Sequence, residues 1–317
     1  MKAGCQTTLR KPVSIDGIGV HSGLPATLTL HPADVNTGIV FVRPGPDGSY
    51  DREIRADVRA VTATEFATVL GDSAGPLVST SEHVLAAIRG LGVDNVVVEL
   101  DGSEAPILDG SAAPFVDAID QAGVISQSAP RRFIQVLKPV RVVKDNAIGE
   151  LRPYGRGFRI EAEIEFNHPL IGRQTFDIDV APASFRRDIA RARTFGFLRD
   201  VEKLWSAGYA LGASFDNTLV ITDNRVLNPE GLRNPDEFVR HKVLDAIGDM
   251  ALAGAPLLGA YRTVRGGHRL NYAVLSELMA DTSAWRVVET SEPVRRIRGH
   301  ADVATGLVAP AYGPDMS

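Results

Sequence analysis

Three polar side chains within residues 234–249, NPDEFVRHKVLDAIGD, recur at four-residue spacing: His241, Asp245 and Asp249. Read as a helix with Asn234 as its cap, Pro235 at the first helical position and Glu237 as a capping-box carboxylate, the stretch stacks all three on one face. Lys242 lies beside them. An imidazole and a carboxylate one turn apart can grip a single divalent cation. A His/Asp pair at this spacing is more often a surface pair, so the remaining ligand has to come from elsewhere in the chain.

Glu82 and His83 are neighbours in residues 77–90, LVSTSEHVLAAIRG, which read as a helix with a Ser-x-x-Glu start and a glycine stop. The plainer reading makes Glu82 a cap and His83 a polar first-turn residue. The chemical reading puts a general base beside a metal ligand. His83, His241 and Asp245 would supply two nitrogens and one oxygen and leave a fourth position open to water, the catalytic rather than the structural pattern for zinc. Glu82 would take the proton of a water that the metal acidifies. His268, in the Gly-Gly-His turn at 266–268, would protonate a leaving amine, with Asp249 keeping it charged. For His268 a surface loop is the plainer reading. His21 sits among glycines in GIGVHSG, residues 17–23, where backbone can approach a ligand closely, although a hairpin loop explains it equally simply.

The 317 residues, 44% hydrophobic and 23% charged, can bury a sizeable core and fit about two domains. A net charge of −5 gives no field that attracts nucleic acid or anionic lipid, and the one dense basic run, RRDIARAR at 186–193, alternates with apolar residues. The lone cysteine, Cys5, excludes an internal disulfide framework and a cysteine-rich metal clip, and it fits a reducing compartment. No apolar run approaches the roughly 18 residues of a membrane span, and the N-terminus has no secretory core. A cytoplasmic protein, a monomer without nucleic-acid partner or membrane segment, is expected.

Strand patterns and helices are needed to bring residues 82–83 to residues 241–249. Alternating segments fill residues 7–43 and a buried strand 94–100, and a helix runs to about 122. Residues 123–132, GVISQSAPRR, are the best linker. The second half is built much like the first, with strands at 133–143, 158–166 and 175–180, helices at 183–192 and 200–207, a strand pair around 217–224, and a final helix at 272–279 after a strand-like segment holding His268. An α+β fold of two similar layers follows, with domains at 1–126 and 127–289 and a tail at 290–317.

Six motifs in order carry a family resemblance: SEH at 81–83 followed by LGVDN, PILDGSAAPF at 106–115, FNHP at 166–169, RARTFGF at 191–197, HKVLDAIGD at 241–249 and GHRLN at 267–271. From about residue 6 to 279 the chain resembles the UDP-3-O-acyl-N-acetylglucosamine deacetylases of lipid A biosynthesis. That resemblance implies two β-α-α-β domains sandwiching their helices, an active site at the domain interface, and zinc, with iron(II) as the alternative. The substrate would be an acylated nucleotide sugar that loses its N-acetyl group.

Carried onto this sequence, the resemblance makes His83, His241 and Asp245 the metal ligands, Glu82 the base, His268 the acid and Asp249 its partner. Thr194 would be an oxyanion-stabilising hydroxyl, Phe195 the aromatic near the sugar, and Lys242, Arg265 and His21 substrate contacts. An insert at about 197–227 would form the acyl-chain passage, with Leu198, Leu204, Trp205 and Leu211 along it. Ala67 stands where many relatives carry a cysteine, Ala147 where some carry a lysine, with Lys144 nearby, and Arg265 where a lysine is common. Two rivals remain: a zinc amide hydrolase of another substrate, opposed by the apolar insert, and a non-catalytic nucleotide-sugar binder, opposed by the full set of catalytic side chains.

Overall fold

The computed structural model describes residues 4–45 and 49–290, so the expected tail lies outside the described residues except for Thr290, whose backbone N–H donates to the Arg131 carbonyl at 2.9 Å. The chain is α+β. Strands Val13–Ile18, Pro25–Pro32, Val96–Leu100, Ile39–Pro44 and Tyr50–Arg55 form a five-stranded sheet in that spatial order. Pro25–Pro32 alternates as its sequence dictates, Leu28 and Leu30 facing inward with no exposure. A three-stranded sheet of Val61–Ala63, Val69–Asp72 and Gly75–Val78 follows.

A seven-stranded sheet is built around Leu257–Val264, which is almost wholly buried and pairs with Ala147–Arg152, Phe158–Glu165 and Arg132–Val136. Val140–Lys144, Arg173–Asp179 and Trp285–Glu289 complete it.

The helices are α1 (Glu82–Gly90), α2 (Ala113–Ala122), the single turn α3 (Pro182–Ser184) continued by a π-turn at Phe185–Ile189, α4 (Val201–Ser206), α5 (Glu237–Met250) and α6 (His268–Ala280). Every residue of α5 except Arg240 and Lys242 is buried. Its apolar residues are too widely spread for a single stripe, as suits an internal helix, and α5 packs against α1 on one side and α6 on another. Gly248 is what permits the approach to α1: a Cβ there would lie 2.0 Å from the Glu82 carbonyl oxygen.

Four local expectations are corrected. Residues 123–132 are no structureless linker; Val124–Pro130 is a strand paired antiparallel with Cys5–Leu9, a long-range pairing that local composition does not reveal. Helix α1 starts at Glu82, residues 77–78 belonging instead to the strand Gly75–Val78, and Ser81 before it makes no side-chain cap bond. Helix α5 starts at Glu237, not after Asn234, and the Glu237 carboxylate does more than serve the helix start. Its Oε1 accepts the Arg193 backbone N–H at 3.1 Å and guanidinium Nε at 2.9 Å, both side chains buried, while Oε2 accepts the Arg233 backbone N–H at 2.5 Å just ahead of the helix. Helix α6 starts at His268 itself, so the histidine stands in a first helical turn rather than in a strand-like segment.

Candidate active site and metal centre

His83 in the first turn of α1 and His241 and Asp245 one turn apart on α5 converge because the two helices touch. Their ligand atoms lie within 4.8 Å of one another, and all three residues are buried. Asp245 Oδ1 is 3.3 Å from His241 Nε2 and 3.7 Å from His83 Nε2, and the imidazoles meet edge to face, 84° apart at 5.1 Å between centroids. His241 Nδ1 is 3.1 Å from the Ala192 carbonyl, a contact that fixes the proton there and leaves Nε2 free to coordinate.

Asp245 Oδ1 and His83 Nδ1 are buried with no hydrogen-bond partner among the described residues. A carboxylate oxygen stranded between two imidazoles is costly unless a cation satisfies it. Two nitrogens and one oxygen are a donor set that a zinc-type ion takes, so the residues present fit a divalent metal. Burial, then His241, holds the His83 imidazole down at about 3, neutral and able to coordinate; burial also lowers His241. For Asp245 burial works the other way, but His241 and Lys242 outweigh it and hold the carboxyl well below the usual range.

Beside the cluster, Glu82 Oε1 stands 3.7 Å from His268 Nε2, and that nitrogen is 3.9 Å from Asp245 Oδ2. Burial pushes the Glu82 carboxyl up to about 7 against the pull of His268. Burial would lower His268, but the Asp249 and Glu82 carboxylates overcome it and push the imidazole up to about 10. Asp249 Oδ2 is 2.9 Å from His268 Nδ1 and accepts Asn271 Nδ2 at 2.7 Å, while Oδ1 accepts the Thr68 hydroxyl at 2.6 Å. The pair therefore combines a carboxyl poised to ionise near neutrality with an imidazolium that keeps its proton.

Lys242 Nζ donates to Asp245 Oδ2 at 2.8 Å and lies 5.7 Å from the centre of the Phe195 ring; burial opposes its charge, but Asp245 raises its pKa. Phe195 packs edge to face on His241, with centroids 6.3 Å apart. Thr194, between the His241-bonded Ala192 and Phe195, is anchored by its backbone to Gly110 and Leu219, each bond 2.8 Å.

His21 meets Leu211, and burial lowers the His21 imidazole pKa against the pull of Glu104, with the charge of His268 adding to the lowering. Leu211 N–H donates to the His21 carbonyl at 3.1 Å, and the His21 ring packs on Tyr209. Glu104 holds that glycine-rich loop by accepting the His21 and Ser22 backbone N–H groups at 2.9 and 2.8 Å. Arg265 bonds Glu165 Oε2 at 2.8 Å and the Asn146 carbonyl at 2.9 Å, on the rim of a pocket of about 390 Å³ that also holds Lys144, Ala147 and His268.

Sequence reasoning missed Thr68 and Asn271. Thr68 ties Glu82 to Asp249: its backbone N–H donates to Glu82 Oε2 at 3.0 Å and its hydroxyl to Asp249 Oδ1 at 2.6 Å. Nothing in the sequence around Thr68 signals this. Asn271 follows His268 by three residues, a helical spacing that becomes informative once α6 is known to start at the histidine. Tyr261 in turn donates to Asn271 Oδ1 at 2.6 Å.

The LpxC family model, UDP-3-O-acyl N-acetylglycosamine deacetylase, matches residues 6–280. Proteins named UDP-3-O-acyl-N-acetylglucosamine deacetylase from Brucella ovis and Brucella abortus are 51% identical over 285 residues, covering 90% of this chain and 98% of theirs. One from Brucella melitensis is 50% identical over the same length. The chain belongs to the UDP-3-O-acyl N-acetylglycosamine deacetylase family.

Proposed function

We propose that this chain hydrolyses the acetamide of UDP-3-O-acyl-N-acetylglucosamine to acetate and UDP-3-O-acyl-glucosamine, the committed step of lipid A biosynthesis. The carrying observation is the Glu82–His268 pair, 3.7 Å apart beside three converging metal-ligand side chains. His83, His241 and Asp245 would hold zinc, with iron(II) as the alternative. Such a cation supplies Lewis acidity, acidifying the attacking water and drawing charge from the carbonyl oxygen.

Glu82, ionised, takes the proton of the attacking water. Thr194 donates its hydroxyl to the developing oxyanion, supported by its position beside the carbonyl that anchors His241. His268 gives its Nε2 proton to the departing amine, and Asp249, held by Thr68 and Asn271, keeps the ring oriented and charged. Lys242 and Arg265 sit toward the uridine diphosphate, Phe195 toward the sugar, His21 is a further substrate contact, and Leu211 belongs to an acyl passage in the insert at about 197–227.

The same reading divides the chain into domains at 1–126 and 127–289 whose sheets sandwich α1 and α5, and expects a cytoplasmic monomer without nucleic-acid partner. The solitary Cys5 and the net charge of −5 support it. Among the described residues no helix is long and apolar enough to cross a membrane.

Release of acetate from the acylated nucleotide sugar tests the assignment. Wild type is expected to turn it over, and Glu82→Ala to lose about 10²-fold or more. Full activity in Glu82→Ala would remove the base from the scheme.

A further inference from the structure

Two adjacent cavities lie at the opposite end of α1 from the metal-ligand cluster. One, about 150 Å³, has apolar walls that include Phe133, Phe158, Met250 and Leu257. The other, about 220 Å³, is bordered by Asn36, Asn95, Arg55 and Arg132. Arg89, Ala255 and Pro256 line both. Arg89 stands six residues beyond His83, about 9 Å along the helix.

The Arg89 side chain is 7% exposed, and its Nε is buried with no partner among the described residues. Nη1 reaches the Val93 carbonyl only at 3.4 Å and Asp94 Oδ1 only at 4.0 Å. Asp94 is already committed: Oδ1 accepts Arg131 Nε at 2.9 Å, and Oδ2 accepts the Thr7 backbone N–H at 3.0 Å. One carboxylate thus faces two guanidinium groups.

A last-turn arginine does complement a helix dipole, which explains the Val93 contact but not a buried, unbonded Nε. Arg43 and Arg52 also bury an unpartnered Nε, yet their Nη2 atoms make bonds of 2.6 Å. Burial lowers Arg89 to about 10, the mark of a charge without adequate compensation.

We propose that the two cavities form a binding site for an amphiphilic anion, its carboxylate or phosphate head on the Arg89 guanidinium and its apolar chain along Phe133, Phe158, Met250 and Leu257. A guanidinium fork matches either head bidentately. The apolar walls select an organic ligand over a bare ion, because an inorganic head alone would leave that surface unfilled. The site shares no residue with the metal cluster or the acyl passage, and it stands whether or not the deacetylase reading does.

The test titrates the metal-loaded enzyme calorimetrically with octanoate, octyl phosphate, octanol and inorganic phosphate. Octanoate or octyl phosphate is expected to bind saturably, the tighter of the two identifying the head, with octanol and inorganic phosphate at least about tenfold weaker. Arg89→Met is expected to weaken the preferred ligand by about tenfold or more. Ala255→Trp, which keeps the guanidinium and fills the shared wall, is expected to do the same and serves alone if Arg89→Met does not fold. Undiminished binding in either folded variant puts the ligand elsewhere and overturns the proposal, as does inorganic phosphate binding as tightly as octyl phosphate.

Discussion

Glu82 and His268 are buried side by side and are pushed into complementary roles by different neighbours. Glu82 feels mainly desolvation and rises to about 7; His268 feels two carboxylates and rises to about 10. Glu82 works as a base only when ionised, so turnover should fall as pH drops through its pKa. His268 works as an acid only when protonated, so turnover should fall as pH rises through its pKa. A divalent cation held by His83, His241 and Asp245 would lower both values, so the limbs are expected at or below about 7 and about 10. A pH–rate profile should lose its acid limb in Glu82→Ala and its alkaline limb in His268→Ala; an alkaline limb that survives His268→Ala removes that histidine from proton transfer.

His241 and Asp245 are legible in the sequence because ligand types at helical spacing are a local signal; His83 stands on another helix and is joined to them only by the need for a further ligand and by the family resemblance. The Thr68 link is not legible, since it exists only where residues 14 and 181 positions away in sequence fold onto it.

Among the elements, the site is the contact between α1 and α5. Gly248 faces the backbone of Glu82 at a distance no side chain can share. Gly248→Ala should therefore push the helices apart, costing roughly 1–3 kcal/mol of stability as overpacking does. It should also lower turnover by displacing Glu82 from His268. Thermal unfolding and kcat measured on the same variant check this, and unchanged values in both would mean the contact is looser than described.

Local rules misplace element starts where a distant partner competes with them. Glu237 looks like a capping carboxylate, yet it shares itself between the Arg233 backbone N–H ahead of the helix and the buried Arg193 guanidinium. Gly266 and Gly267 look like a turn that would leave His268 outside the helix, but Gly267 serves as the residue before the first turn. Residues 123–132 carry proline, serine and arginine and read as a linker, although the N-terminal strand pairs with them.

Across the whole molecule, the insert returns to the glycine-rich loop near the N-terminus: Gly212 N–H donates to the Val20 carbonyl at 3.0 Å, and a Cβ on Gly212 would meet the Gly19 carbonyl oxygen at 2.3 Å. Around that junction Leu24, Trp205, Leu211 and Phe215 are half or more exposed. In the deacetylase reading this surface receives the acyl chain. Each buried methylene contributes about 0.8 kcal/mol, so even partial burial of a long chain makes kcat/KM for a substrate lacking it at least about 10²-fold lower. Equal kcat/KM for both substrates would deny the passage its role.

The proposed roles depend on a metal held by His83, His241 and Asp245, without which Glu82 and His268 should not complete the hydrolysis. Metal content and acetate release, measured together on wild type and His241→Ala, decide whether it is required. The wild-type chain should carry about one zinc or iron, and the variant should lose that metal with turnover reduced at least about 10²-fold. A metal-free wild type that deacetylates at full rate, or a metal-free His241→Ala that does so, would show that the metal is dispensable.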